Sequence, residues 1–166
     1  GIIYGIGDFS LAQDIGVTKA AAKKYIEGYL ANYPGVAAYL NEIKRTAHEL
    51  GYVTTLFGRR RYIPELSSSK KTLVSFGERV AMNSPIQGTA ADIIKLVMVN
   101  TQKALEKGGY DAHLILQVHD ELIIETHVSC KDEVMELLKR EMENVIQLPV
   151  SLTAEIKSAG NWFDCK

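Results

Sequence analysis

Apolar residues recur at helical spacing three times before residue 51. Asp8-Phe9-Ser10 starts a short helix that Gly16 stops. Thr18 reads as the N-cap of a second helix, with Ala21, Ala22, Tyr25, Ile26, Tyr29 and Leu30 three and four residues apart. Pro34 suits a first helical turn, and Val36, Tyr39, Leu40, Ile43 and Leu50 carry a third helix to Gly51. There the period changes. Residues 52–56 and 60–63, joined around Phe57-Gly58-Arg59, predict a β-hairpin with a basic tip.

Helical spacing returns from residue 72 to about 107, broken by Pro85 and punctuated by Gly88, until Gly108-Gly109 ends it. Residues 112–118 and 122–125 predict two short strands around a polar turn, His119-Asp120-Glu121. Ser129 reads as the cap of an amphipathic helix with Val134, Leu137, Leu138, Met142 and Val145 on one face. Pro149 then leads into a last strand, residues 150–156, and a tail containing Trp162. The fold class expected is α+β, long helices packed on a small antiparallel sheet. The chain contains no internal repeat, and Ser67-Ser68-Ser69-Lys70-Lys71 is its nearest approach to a flexible loop.

With 46% hydrophobic and 23% charged residues, the 166-residue chain is neither a disordered tail nor a disulfide-stapled miniprotein. A chain this long buries roughly 70% of its unfolded surface, enough for a real core. Net charge is −1, but it is unevenly spread. Residues 1–83 hold 11 Lys/Arg against 7 Asp/Glu, and residues 84–166 hold 8 against 13. A basic half joined to an acidic half suits a polyanion on one side and cations on the other. Cys130 and Cys165 lack zinc-site spacing and framework numbers, which points to a reducing compartment. No apolar run reaches the roughly 20 residues that span a bilayer. Gly1-Ile2-Ile3-Tyr4-Gly5 has no initiator Met and no basic leader, and reads as the start of a piece of something longer.

Three groups of residues are candidates for chemistry. At the turn His119-Asp120-Glu121, two adjacent carboxylates make a negative field suited to Mg²⁺, which takes one or two carboxylates with waters and phosphate oxygens. The alternative is a pair of solvated turn residues. Arg79, Asn83 and Gln87 lie four apart, so one helix face presents all three, with small residues (Ala81, Ser84, Gly88 to Ala91) between them. Such a row can donate to sugar, phosphate or minor-groove acceptors. It is equally the pattern of an ordinary polar helix face. Arg59-Arg60-Arg61, with Lys70 and Lys71 and the aromatics Phe57 and Tyr62, can meet a phosphate backbone or simply protect an edge strand. The chain has no Gly-rich phosphate loop, nucleophile elbow or zinc signature.

Taken jointly, these segments resemble the C-terminal part of family A DNA polymerases, the bacterial DNA polymerase I type. Gly1-Ile2-Ile3-Tyr4-Gly5 is similar to the end of the fingers-helix motif, and Glu78-Arg79 through Asp92-Ile93-Ile94-Lys95 to the palm helix. Gln117-Val118-His119-Asp120-Glu121 resembles the palm hairpin that carries a metal-binding acid, and Gly160-Asn161-Trp162-Phe163-Asp164-Cys165-Lys166 the family's C-terminus. Four motifs stand in the family's order.

The resemblance implies residues 1–77 as part of the fingers and 78–166 as the C-terminal half of the palm. It implies Asp120 as one of two principal carboxylates holding a catalytic pair of Mg²⁺ ions, and Glu121 as an auxiliary acid. His119 is expected near the primer end, Arg79, Asn83 and Gln87 on the minor-groove side of the duplex, and Tyr4 stacked at the templating position with Gly5 allowing close approach. The implied partners are a DNA primer–template, deoxynucleoside triphosphates and the remainder of the polymerase chain, with no membrane, in the cytoplasm at the bacterial nucleoid. The implied roles are replication and repair, by two-metal phosphoryl transfer. The partner aspartate and the triphosphate-gripping residues of the family have no counterpart here, so the chain alone is expected to be inactive, and its sheet to leave an edge or apolar face exposed. Two other readings stay open: a non-catalytic fragment that binds nucleic acid or a partner chain, and a metal-dependent hydrolase built on Asp120 and Glu121. The hydrolase needs a further carboxylate, for which Asp92 and Glu125 are nearest in sequence.

Overall fold

In the computed structural model the described residues are 1–165, and they form two compact units that meet between Thr89 and Ala90. Lys166, the last residue of the C-terminal motif, lies outside the described residues.

The first unit opens with a 3₁₀ turn, Ile2–Tyr4, followed by α1 (Asp8–Ile15), α2 (Lys19–Asn32) and α3 (Pro34–Leu50). The capping signals act as the sequence suggests. Thr18 Oγ1 accepts the Ala21 N–H at 3.2 Å, Pro34 occupies the first turn of α3, and Gly16 and Gly51 end α1 and α3. The hairpin follows as β1 (Tyr52–Thr54) and β2 (Arg60–Tyr62), antiparallel with Val53 opposite Arg61. The core of this unit gathers Ala47, Val53, Ile63, Leu66 and Ala81, with Ile43 and Val80 against it. Burying a side chain such as Ile63 contributes about 1.5–3 kcal/mol.

α4 runs from Lys71 to Gly108 and contains Pro85. The expected break at Pro85 does not occur. A proline removes one N–H and crowds one carbonyl, which costs α4 one hydrogen bond without ending it, and the helix continues on both sides.

The second unit holds the rest of α4, then β3 (Ala112–Val118), β4 (Glu121–Thr126) and α5 (Lys131–Glu143). Its core is Leu105, Ala112, Val134 and Leu137, packed by Ala104, Tyr110, Ile124 and Cys130. β3 and β4 pair antiparallel, with a register shift between Leu114 and Leu116. Ile115 and Leu116 stand 54% and 43% exposed, the apolar exposure anticipated for this sheet.

Two sequence expectations fail in this unit. Ser129 does not cap α5: it sits in a 3₁₀ turn, Val128–Cys130, that His127 caps by accepting the Ser129 N–H on Nδ1. Residues 150–156 form no strand. Side chains take the place of a neighbouring strand there. The Ala154 N–H donates to Glu143 Oε1 at 3.0 Å, and Lys139 Nζ donates to the Ala154 carbonyl at 3.0 Å and to Glu143 Oε1 at 2.6 Å. Both sheets are therefore two-stranded.

Candidate nucleic-acid interface and acidic turn

The polar row belongs to the first unit. Arg79, Asn83 and Gln87 lie on α4 together with Phe76, Val80 and Ser84, and with Arg61 of β2 they line a hollow of about 400 Å³. Eight residues of helix span about 12 Å, the axial length of three to four base pairs at 3.4 Å each. The side chains of Arg61, Asn83 and Gln87 make no ion pair or hydrogen bond with other described residues. Asn83 Oδ1 is shielded from solvent and unpaired. Arg79 has its guanidinium 5.9 Å from the Phe76 ring centroid and no carboxylate beside it. Buried polar groups are normally satisfied within the protein. Here a set of donors and acceptors stands open toward one hollow, carrying two positive charges without a counter-ion.

Tyr4 and Gly5 adjoin this row. Gly5 has a φ of +77°, and a Cβ there would collide with the Met82 methyl and lie 3.4 Å from Arg79 Cγ. Only glycine combines that backbone with so close a passage over α4. The Tyr4 ring is 47% exposed. His48 Nε2 and Glu78 Oε1, 3.2 Å apart, tie α3 to α4 one residue before Arg79.

The acidic turn belongs to the second unit and is tighter than expected. Val118 pairs with Glu121, so only His119 and Asp120 lie between the strands, and Glu121 is already the first residue of β4. His119 has a φ of +55°, the only positive value among the described non-glycine residues. A two-residue hairpin needs positive φ in its turn, usually at glycine or asparagine. Gln117 Nε2 reaches over the turn to donate to the His119 carbonyl at 2.5 Å.

Asp120 and Glu121 are exposed, and neither enters an ion pair or side-chain hydrogen bond with another described residue, so their oxygens are available. Hard carboxylate oxygens at the tip of a hairpin fit Mg²⁺ if water and phosphate oxygens complete the shell. They do not form a closed cage: no group of three or more His, Cys, Asp or Glu side chains suited to a metal exists among the described residues. Asp92, buried on α4, and Glu125, opposite His113, therefore do not converge with them, and the hydrolase reading loses the carboxylate it required.

Sequence reasoning missed Arg61 and Phe76 as members of the hollow. The basic run was legible, but which arginine faced α4 was not. The strand register supplied that signal, since cross-strand partners share a face and Arg61 is opposite the buried Val53.

Residues 1–164 match the family model described as DNA polymerase family A. The whole chain is 46% identical to DNA polymerase I of Caldicellulosiruptor bescii, of which it covers 20%. It is likewise 45% identical over its whole length to DNA polymerase I of Bacillus subtilis, covering 19% of that protein. Among solved structures, the POL domain of Pol1 from M. smegmatis, in complex with DNA primer-template and dNTP, superposes with a TM-score of 0.88 at 40% identity. That match covers 92% of this chain and 27% of the other. The chain thus spans about a fifth of the length of these curated relatives.

Proposed function

Because the chain belongs to DNA polymerase family A, we propose that it supplies part of the fingers (residues 1–77) and the C-terminal half of the palm (residues 78–166) to a DNA-directed DNA polymerase. That enzyme adds deoxynucleotides to a primer 3′ end on a DNA template. The observation that carries this reading is the unpaired row of Arg79, Asn83 and Gln87 over one hollow.

Each residue type suits its task. Minor-groove acceptors are nearly the same for all base pairs, so amide donors there can hold a correctly paired duplex without reading its sequence. Arg79 adds a charge-assisted donor to that row. Tyr4 offers an aromatic face to a templating base, next to the close passage at Gly5. Asp120 and Glu121 would hold Mg²⁺, with His119 presented beside them near the primer end. Two such ions supply charge stabilisation at the reacting phosphate oxygens. The partners follow from this role: primer–template, deoxynucleoside triphosphates and the remainder of the polymerase chain, in the bacterial cytoplasm at the nucleoid, in replication and repair. Among the described residues no third acid joins the two of the turn, and on this reading the isolated chain binds duplex without extending it.

Fluorescence anisotropy of the 166-residue chain on a labelled primer–template tests the interface. Wild type is expected to bind with an affinity that falls with salt. Arg79→Ala should weaken binding by at least about tenfold, a hydrogen bond to a charged group being worth about 1.5–3 kcal/mol. Equal affinity of the variant and wild type would count against the interface.

A further inference from the structure

A threonine hydroxyl fastens the basic hairpin to α4. Thr89 Oγ1 donates to the Pro85 carbonyl at 2.6 Å, within its own helix, and accepts the Leu56 N–H at 3.0 Å from the hairpin loop. One residue earlier the helix has no side chain. A Cβ on Gly88 would stand 2.6 Å from Thr55 Cγ2, so glycine lets Thr55 lie directly on α4. Thr55 Oγ1 in turn accepts the Phe57 and Arg59 N–H groups at 3.3 and 3.2 Å, and the Thr55 N–H donates to the Arg59 carbonyl at 2.9 Å. The loop between β1 and β2 is closed on itself and pinned to the helix at Gly88 and Thr89.

The strand register decides what the pin positions. Arg60 pairs with Thr54, on the face that carries the Tyr52–Tyr62 ring contact, and its guanidinium lies 4.8 Å from the Tyr52 ring centroid. Arg61 is opposite Val53 on the other face and lines the hollow with Arg79, Asn83 and Gln87. It has no carboxylate partner among the described residues. A guanidinium fork without a counter-ion matches a phosphate in two places at once.

We propose that Arg61 grips a backbone phosphate of the duplex at the edge of this hollow, and that the Thr55–Gly88–Thr89 latch is the positioning device that holds it there. This rests on the hollow being a duplex interface. Arg61 contributes affinity that does not depend on base identity, while Asn83 and Gln87 meet the bases. Thr89 touches no DNA and acts only through Arg61.

Duplex binding by the 166-residue chain, read by anisotropy across about 50–200 mM salt, separates the possibilities. Arg61→Gln should weaken binding about threefold to tenfold. The loss should be equal on matched and mismatched primer ends, and the salt slope should fall by about one. Arg60→Gln removes the same charge from the other face and should cost less. Thr89→Val should reproduce the Arg61→Gln loss, Thr89→Ser should restore binding, and Thr89→Val added to Arg61→Gln should cost nothing further. Losses that simply add, or an Arg61→Gln variant equal to wild type or to Arg60→Gln, would overturn the proposal. If Thr89→Val does not fold, the Arg61 comparison and Thr89→Ser still decide it, because Arg61 occupies an exposed strand position. A wild-type chain with no duplex affinity would instead remove the interface itself.

Discussion

His119 holds a left-handed backbone where a hairpin would usually place glycine or asparagine. For a side chain with a Cβ that conformation costs about 1–2 kcal/mol. Such a residue persists when its side chain is needed at that point, and here it stands directly before Asp120. His119→Gly should therefore leave the thermal midpoint unchanged or raise it, whereas His119→Val should lower stability by at least about 1 kcal/mol, since a β-branched residue is the worst fit to that region. Thermal unfolding followed by circular dichroism checks both; a neutral valine would show that the turn relaxes elsewhere. On α4, Gln87→Ala should weaken extension from a matched primer end only modestly, about threefold to tenfold for one neutral hydrogen bond. A mispair displaces the acceptor that Gln87 reaches, so the matched-to-mismatched ratio should change. An altered melting temperature with an unchanged ratio would make Gln87 a packing residue only.

Local signals made the elements legible where the chain satisfies itself. Thr18, Pro34, Gly16 and Gly51 fix the ends of α1 to α3 through neighbours within four residues, and sequence reading placed them correctly. Two of the misreadings have the opposite cause. Residues 150–156 alternate like a strand, but their backbone is held by Glu143 and Lys139 across eleven and fifteen residues, which no short window contains. Which arginine of the basic run faces α4 was not legible for the same reason: the face of Arg61 depends on pairing with Val53. The Lys139 ammonium, followed by the Ala154 N–H, holds the Glu143 carboxyl below its ordinary value of 4.5. A carboxyl depressed on folding stabilises above its unfolded value, and that stabilisation is lost as pH falls through the lowered one. The protection factor of the Ala154 amide, its exchange rate relative to that of the unfolded chain at the same pH, should therefore be high at neutral pH and fall once pH drops below about 4.5, and Glu143→Gln should remove most of that pH dependence. A protection factor independent of pH would show that the tether does not hold the segment. At the hairpin, Gly88→Ala drives a methyl into Thr55 and should cost about 1–3 kcal/mol of stability, the usual range for overpacking. Calorimetry on the purified variant would register it.

At the scale of the whole chain, the polar row proposed to face the duplex falls in residues 1–89 and the acidic turn in residues 90–165. Of the four motifs, the two that carry these groups were readable because each is continuous in sequence. Their chemistry was not, because a metal site and a duplex surface are completed by groups outside either motif. Asp120 and Glu121 have no third acid among the described residues. Each 1.36 kcal/mol of lost charge stabilisation slows a reaction about tenfold, so the isolated chain should show no primer extension above a mock preparation. The most direct test replaces the corresponding segment of Bacillus subtilis DNA polymerase I, 45% identical, with this chain and assays primer extension with and without Asp120→Ala. The account expects extension by the chimera, its loss by several orders of magnitude in Asp120→Ala, and a primer–template affinity that stays within about twofold, because phosphate and groove contacts carry binding. A chimera that extends primers equally well with Asp120→Ala would contradict it.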